Sequence, residues 1–167
     1  LVLSKLDDHT KRVRELFEKT ARNTSGVLTY YYRIDPSVSS ASGFWYVYSS
    51  RNGFIPHNVT DITLYDTNDQ SALVWFTVPK ATGTPKWLAP YFTENFDAYV
   101  LSYNVPIYKD GVFIGVIGIE IDYGTMAKAV DNITLYQNGY AFITDDEGRL
   151  VYHPRIDVAH LSDEEKL

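Results

Sequence analysis

The chain has 167 residues, a formal charge of −6 and no cysteine, and 45% of its residues are hydrophobic. This length suits one substantial core, or one domain and part of another, and the hydrophobic content is that of a globular rather than a disordered protein. Without cysteine, a disulfide framework and a thiolate metal site are excluded. The acidic residues are scattered, which argues against nucleic-acid binding because that function needs a clustered basic face. No apolar run approaches the roughly 20 residues that a membrane span requires.

Residues 1–24 are predicted to form a long helix. Apolar side chains recur at spacings of three and four, and turn-forming residues follow from position 23. Two interpretations of this stripe are open: the helix packs on the chain's own sheet, which we favour, or it forms a coiled coil with a second subunit. Both would hold if one flank packs on the sheet while the other pairs with a second subunit. The stripe consists of Leu6, His9, Val13, Leu16 and Thr20, widened by Leu3, Phe17 and Ala21.

From residue 27 onward the sequence becomes typical of β-structure. Short aromatic and β-branched runs predict strands at residues 28–34 and 44–49. Residues 61–65 are predicted to extend the sheet. Residues 69–76 favour a short helix or an irregular segment, and residues 80–85 favour a surface loop.

A strong hairpin signal follows at residues 98–108 and 112–122, because Lys109-Asp110-Gly111 joins two apolar runs. Alternation on the second strand predicts two faces. One face carries Phe113, Ile117, Ile119 and Ile121, and the other carries Val112, Ile114, Val116, Gly118, Glu120 and Asp122. The carboxylates of Glu120 and Asp122 therefore lie on one face at the end of the strand, next to Gly118, which leaves space. A short helix is predicted at residues 124–136 and a second hairpin at residues 139–154, turning at residues 145–148.

Several short motifs occur in an informative order. They are Trp-x-x-Pro-Tyr at 87–91, Pro-Ile-Tyr at 106–108, Gly-Val-Ile-Gly-Ile-Glu-Ile-Asp at 115–122, Gly-Tyr-Ala-Phe-Ile at 139–143, and His153-Pro154. Together with the N-terminal helix, they resemble the double Cache family of tandem PAS-like extracytoplasmic sensor domains. The resemblance spans nearly the whole chain. It implies an α+β fold in which the long helix packs on a mixed, mainly antiparallel PAS-like sheet.

The resemblance also implies a division of the chain. Residues 1–24 would be a signalling and dimerisation helix, residues 25–123 a membrane-distal Cache module, and residues 124–167 a linker helix and the start of a membrane-proximal module. The last segment would then lack its strand partners, unless its hairpin completes one enlarged domain.

The function implied by the resemblance is ligand sensing outside the cytoplasm by a membrane-anchored receptor. Its output domain would be a histidine kinase, a chemoreceptor signalling domain or a cyclic-dinucleotide enzyme. The chain itself is expected to be non-catalytic, to use no cofactor or metal, and to form a homodimer through its N-terminal helix. Because it begins without Met, we expect a fragment whose membrane anchors lie outside it.

A ligand site follows from the family pattern. Amino-acid-binding members use a Tyr, an Arg, a Trp-Tyr pair and an Asp, and these positions fall here on Asn68, Leu73, Trp75-Phe76 and Glu120. Without the Arg, capture of a ligand carboxylate is not accounted for, whereas a carboxylate among aromatic rings suits an amine. We therefore expect a cationic or amine ligand. The expected ligand-binding residues are Trp75, Phe76, Trp87, Tyr91, Tyr103, Asn104, Glu120 and Asp122.

Each of these residues also has a structural interpretation. The two tryptophans suit core or loop packing. Glu120 suits a solvated or lysine-paired strand end, and Asp122 suits the N-cap of the helix that follows. Arg33 is expected to pair with Asp35 or with the N-terminal helix.

Two other functional classes are weighed against the sensor. An interaction module that binds no small molecule would use the N-terminal helix for dimerisation or would receive its input from a periplasmic protein. A hydrolase would use the neighbouring carboxylates Glu120 and Asp122, but further polar partners are not evident, so this class ranks lowest. The local cluster His153, Asp157 and His160 favours a polar tail over a metal site.

Overall fold

The computed structural model describes residues 3–40, 42–162 and 164–166. The chain divides into two compact units. The first contains residues 1–88 and 102–120, and the second contains residues 89–101 and 121–167. Within the described part of the chain, every helix is too short or too polar to cross a membrane.

Helix α1 (Leu3–Arg22) packs on the sheet of the first unit. The His9 ring meets the Tyr32 ring edge-on at 5.8 Å, and Phe17 meets Tyr30 in the same manner at 6.1 Å. The predicted helix is therefore confirmed over residues 3–22, and so is its packing on the chain's own sheet. Residues 1 and 2 lie outside the described residues.

The main sheet confirms the predicted α+β architecture. Its strand order is β3-β2-β1-β7-β6-β4, and β5 pairs with the beginning of β6. Antiparallel pairing joins β1 with β2, β2 with β3, β4 with β6, and β5 with β6. The strands are β1 (Val27–Ile34), β2 (Gly43–Ser49), β3 (Gly53–Pro56), β4 (Lys86–Trp87), β5 (Tyr91–Thr93), β6 (Ala98–Lys109) and β7 (Val112–Asp122).

Three consecutive tyrosines on β1 define the two faces of this sheet. Successive side chains of a strand point to opposite sides. Tyr30 and Tyr32 contact α1, whereas the Tyr31 ring meets Trp75 of helix α2 (Val74–Thr82) at 5.0 Å. The side of Tyr30 and Tyr32 is called the α1 face below, and the side of Tyr31 is called the α2 face.

Two predictions between β3 and β4 are wrong. Residues 61–65 do not extend the sheet, because Ile62–Leu64 form a 3₁₀ helix whose N-cap is Asp61. The Asp61 carboxylate accepts hydrogen bonds from the amide and hydroxyl of Thr63, at 3.0 and 2.6 Å, and such local bonds compete with strand pairing. The predicted loop at 80–85 is helical at its start, since α2 runs to Thr82 and ends at Gly83.

The β6–β7 hairpin is confirmed, but the strict alternation predicted for β7 is wrong. Phe113 and Val116 both pack against Phe76. Positions three apart share a face only where a strand is irregular between them. Phe113 therefore faces α2 together with the even-numbered Val116.

The second unit contains the shorter elements at the end of the chain. Helix α3 (Tyr123–Asp131) is shorter than the predicted 124–136 and ends at the cap residue Asn132. Strands β8 (Ile143–Thr144) and β9 (Leu150–Tyr152) pair antiparallel and confirm the second hairpin. The Tyr152 hydroxyl donates to the Asp131 carboxylate at 2.5 Å, which joins β9 to α3. A 3₁₀ helix follows at Val158–His160.

We expect Gly43→Ala to destabilise the first unit strongly. Gly43 has a φ of +97°, and an added Cβ would lie 1.9 Å from the Tyr32 carbonyl oxygen, which is backbone and cannot move aside. The expected loss is about 3 kcal/mol or more in the free energy of unfolding, measured by urea denaturation. Gly111→Ala is the control, because Gly111 has a similar φ of +77° with nothing within 4 Å. It should cost about 1 kcal/mol, and equal losses in the two variants would contradict the account.

Candidate functional site

The centre of the α2 face is a hydrogen bond between two strands. The Tyr31 hydroxyl donates to the Asn104 Oδ1 atom at 2.5 Å, and Asn104 is fully buried. The pair lies directly over Gly118, where a Cβ would approach Asn104 Oδ1 to 2.5 Å and the Tyr31 hydroxyl to 2.7 Å. The space that glycine leaves is therefore occupied by these two side chains, and a larger residue at 118 would displace them.

A further bond fixes the orientation of the amide. The Asn104 Nδ2 atom donates to the Ser102 hydroxyl at 2.5 Å. Ser102 is also fully buried, and it lies two residues from Asn104 on the same face of β6. Because both ends of the amide are bonded, Asn104 is a fixed polar group within the core.

Glu120 brings a buried carboxylate to the same face. Its exposed fraction is 8%, and it follows Gly118 by two residues on β7, so the two positions share a side of the strand. The interpretation of Glu120 as a solvated residue at a strand end is therefore wrong. Glu120 has interaction partners within the protein. A buried carboxylate has lost much of its hydration and attracts a cation more strongly than an exposed one.

Helix α2 supplies the aromatic residues. Trp75 is half-buried, and its ring lies 5.0 Å from Tyr31. Phe76 is fully buried in a cluster with Ile62 and Val116. Trp75 is thus placed beside the polar centre, while Phe76 belongs to the core that positions the helix.

Leu73, which the sequence resemblance predicted to stand at the family's Arg position, also belongs to this core. Leu73 packs against the Phe76 cluster. It is the N-cap of α2, with φ of 49° and ψ of 47°, a left-handed conformation that is uncommon outside glycine. Leu73 therefore makes apolar contacts here and presents no charged group.

Trp87 and Tyr103 do not join the α2 face. The β4–β6 register pairs Trp87 with Tyr103 and Lys86 with Asn104. Residues paired across two strands point to the same side of the sheet. Lys86 therefore lies on the α2 face with Asn104, and Trp87 and Tyr103 lie on the other face. The Trp87 ring is 55% exposed and contacts the Tyr103 ring at 4.9 Å.

The remaining two predicted ligand residues belong to the second unit. Tyr91 begins β5. The Asp122 carboxylate accepts hydrogen bonds from the amide and hydroxyl of Thr125, at 2.6 and 2.7 Å. Asp122 is therefore the N-cap of α3, as its structural interpretation expected.

An ion pair attaches α2 to the end of β1. The Lys80 ammonium lies 3.0 Å from the Asp35 carboxylate and 3.2 Å from the Thr67 hydroxyl. It also lies 5.7 Å from the Phe76 ring centroid, close enough for a cation–π contact. Burial alone would raise the pKa of Asp35, but hydrogen bonds from Ser37 together with Lys80 hold it below its usual 3.8.

Arg33 has a different role from the predicted one. Asp35 attracts it electrostatically, but the ammonium in contact with Asp35 belongs to Lys80. The Arg33 guanidinium donates to the carbonyl oxygens of Ile34 and Ser42, at 3.1 and 2.9 Å. Burial lowers the pKa of Arg33, against the opposing charges of Asp61 and Asp35. Arg33 therefore holds the β1–β2 connection.

Sequence reasoning missed three residues of the α2 face. Tyr31 and Ser102 were not expected there because hydrogen bonding between strands depends on register. Lys86 was missed because a two-residue strand has no detectable alternation. The motif that could have identified Tyr31 is the Tyr-Tyr-Tyr run of β1. In a strand, the middle side chain of such a run points to the side of the sheet opposite to that of its two neighbours.

The two C-terminal histidines, His153 and His160, contact different residues. The His160 Nδ1 atom lies 2.8 Å from Asp157, whereas the His153 ring packs against Tyr140 and Phe142. Among the residues that the structure describes, no group of three His, Asp or Glu side chains is arranged to hold a metal.

Comparison with known proteins gives a family match. The model of the Cache domain matches residues 3–166. The methyl-accepting chemotaxis protein PctB of Pseudomonas aeruginosa is 23% identical over 143 residues, covering 85% of this chain and 22% of PctB. This chain thus spans about one fifth of that curated relative.

Solved structures agree with the fold. The extracellular domain of mmHK1S-Z3, classed as a histidine kinase, superposes with a TM-score of 0.64 at 20% identity, covering 92% of this chain and 59% of that one. The ligand-binding domain of P. aeruginosa PctB with L-Gln gives a TM-score of 0.54 at 20% identity, covering 84% and 51%. Cache domains of chemoreceptors and histidine kinases are extracytoplasmic, non-catalytic sensor modules of membrane proteins. The predicted fold class, sensor class and localisation are therefore confirmed.

We expect Lys80→Met to weaken the attachment of α2. Removing the ammonium leaves Asp35 buried without its cation, so the free energy of unfolding at pH 7 should fall by about 1–3 kcal/mol. Because the folded-state pKa of Asp35 lies below 3.8, its contribution is present above that pH and is lost as the pH falls further. The variant should therefore lose less stability than the wild type between pH 5 and pH 2.

Urea denaturation at several pH values measures both effects. Lys19→Met, which removes an exposed lysine on α1, is the control and should behave like the wild type. Parallel stability–pH curves for wild type and Lys80→Met would contradict the assigned ion pair.

Proposed function

Because the chain belongs to the Cache domain family, we propose that it is a receptor's extracytoplasmic sensor domain whose α2 face binds a small molecule bearing an ammonium group. The observation that carries this proposal is the buried Glu120 carboxylate on the face that also holds Trp75 and the Tyr31–Asn104 pair. An ammonium placed there would be attracted by the carboxylate and by the aromatic ring faces.

The ligands of structurally similar sensor domains share this group. Those domains were solved with L-Gln, L-Arg, L-serine, L-valine and GABA. Each of these compounds has an ammonium and a carboxylate. In this chain the acidic position is kept as Glu120, while the family's Arg and Tyr positions hold Leu73 and Asn68. In this proposal, the half of the site that holds the amine is retained, and the half that clamps the carboxylate is changed.

Tyr31 would orient the ligand, and the fully buried Asn104 and Ser102 would hold the Tyr31 hydroxyl in place. Tyr31, Ser102 and Asn104 form a bonded chain across two strands, and groups that are already fixed lose little entropy when a ligand binds. Trp75 would cover the ammonium from the α2 side. Trp87, Tyr103, Tyr91 and Asp122 are not assigned a contact in this proposal.

We expect binding to follow the ammonium group rather than the carboxylate. Isothermal titration calorimetry with matched pairs tests this: L-valine with isobutylamine, L-serine with ethanolamine, and isovalerate as the acid without the amine. The amines should bind, and isovalerate should not. Glu120→Gln should weaken amine binding about tenfold or more, the effect of losing a charged hydrogen bond.

Glu15→Gln is the matched control, because it removes an exposed carboxylate of α1 and should leave affinity unchanged. Binding of isovalerate alone, or of L-valine but not isobutylamine, would contradict an amine site. In the second case Lys86→Met would test whether the lysine beside Asn104 has taken the place of the missing Arg.

An interaction module without a small-molecule ligand is the second candidate. It is favoured by one observation: Leu16 on α1 is 70% exposed, so α1 has an apolar position that the chain's own sheet does not cover. A chain that binds none of these compounds, yet sediments as a dimer that Leu16→Glu dissociates, would favour this role. In the sensor proposal the same helix would dimerise and would also transmit ligand binding to the membrane.

The proposal extends to a tandem arrangement of Cache modules. Residues 124–167 would begin a membrane-proximal module, and the observation in favour is the exposure of apolar side chains in this segment. Tyr136 is fully exposed, and the others are between 41% and 54% exposed. The set consists of Ile133, Leu135, Tyr136, Tyr140, Phe142 and Ile156. Exposed apolar residues in such number are typical of a surface that another element covers.

We expect this surface to become protected when the rest of the second module is present. Hydrogen exchange of residues 133–156 should be slower in a chain that continues past residue 167 into the receptor than in the present chain. Residues 43–49 of β2 serve as the internal control and should exchange equally in both. Unchanged exchange at residues 133–156 would contradict the tandem arrangement and favour one enlarged domain.

A further inference from the structure

The α1 face of the sheet has a cavity of its own. It has a volume of about 800 Å³ and lies between α1 and the closed end of the β6–β7 hairpin, within the first unit. Its floor is apolar and consists of Leu6, Ile107 and Ile114. Its rim is basic and consists of Lys5 and Arg12 from α1 and Lys109 from β6, with Asp8 as the acidic lining residue.

The rim brings cations together from two separate elements. Lys5 and Arg12 are seven residues apart, which places them two turns apart on one side of α1. Lys109 comes from the last position of β6. In the described part of the chain, no ion pair involves any of these three residues. Converging like charges disfavour the empty state, so an anion at the rim would relieve their repulsion.

His9 lies among the basic residues that line the cavity. It lines the cavity between Lys5 and Arg12, and its pKa is lowered below 6.5 by burial and then by the charges of Arg12 and Lys109. The helix and the hairpin therefore both act on the same imidazole. The Tyr32 hydroxyl, 3.4 Å from His9 Nε2, remains neutral because burial raises the pKa of Tyr32 to about 12.

We propose that this cavity binds a small organic anion with a compact apolar body. The anionic group would lie at the rim with Lys5, Arg12 and Lys109, and the apolar body would cover Leu6, Ile107 and Ile114. The volume is within the range of about 300–1,000 Å³ that small-molecule sites occupy. Trp75 and Glu120 lie on the other face of the sheet, so this site is independent of the amine site.

Binding of an anion is coupled to protonation of His9. The charged groups that face His9 are Lys5, Asp8 and Arg12 on its own helix and Lys109 on β6. An anion among them offsets the cations and raises the pKa of His9. By linkage, affinity for the anion rises as the pH falls through the His9 pKa, because the imidazolium adds a positive charge to the rim.

Titration with phenyl phosphate tests the site. The wild type should bind it, with a rise in the His9 pKa measured by NMR of the imidazole, and should bind inorganic phosphate more weakly because the apolar floor is then unused. Arg12→Gln and Lys109→Gln should each weaken binding about threefold, and the double variant about tenfold, as expected for partly exposed ion pairs. Lys19→Gln removes an exposed lysine of the same helix and should change nothing.

Three results would overturn the proposal. The first is that phenyl phosphate does not bind at millimolar concentration, and the second is that benzylamine binds as tightly as phenyl phosphate. The third is that Lys19→Gln and Lys109→Gln lose the same amount of affinity for phenyl phosphate. Sedimentation with phosphatidylglycerol vesicles, without phenyl phosphate binding, would assign the cations to a lipid surface and also overturn it. Trp75→Phe should leave phenyl phosphate binding unchanged, which separates failure of this site from failure of the amine site.

Discussion

The bond from Tyr31 to Asn104 above Gly118 is the contact on which the α2 face depends. It joins β1 to β6 across β7, because the strand between them has no side chain at that position. The buried amide is held further by Ser102, so the polar centre of the face is fixed within an apolar core. Glu120 lies two residues beyond the glycine, and its position relative to this centre is set by the strand itself.

The two faces of one sheet carry different sets of polar groups. On the α2 face, the buried Glu120 carboxylate shares the side of the sheet that carries Tyr31 and Asn104, and a carboxylate favours a cation. On the α1 face, three cations surround an apolar floor, which favours an anion. Central strand β1 contributes to both, since Tyr31 faces one and Tyr32 faces the other. The single sheet can therefore carry two chemically distinct sites without shared contacts.

The sequence predicted those features that repeat along the chain. Helix α1 and the β6–β7 hairpin were identified because their periodicities extend over many residues. Strands β3, β4 and β5 were missed because two to four residues are too few to show alternation. The sequence could not assign Trp87 to a side of the sheet for the same reason: that side depends on the β4–β6 register, which no local pattern encodes. Glu120 was identified from its place in the family motif, but its burial required the structure.

The most direct test of the proposed amine site on the α2 face is to locate a bound amine by NMR. Nuclear Overhauser effects from the methyl groups of isobutylamine should reach the Trp75 indole and the Tyr31 ring, which meet 5.0 Å apart. Effects to Trp87 and Tyr103 instead, on the opposite side of the sheet, would contradict the account.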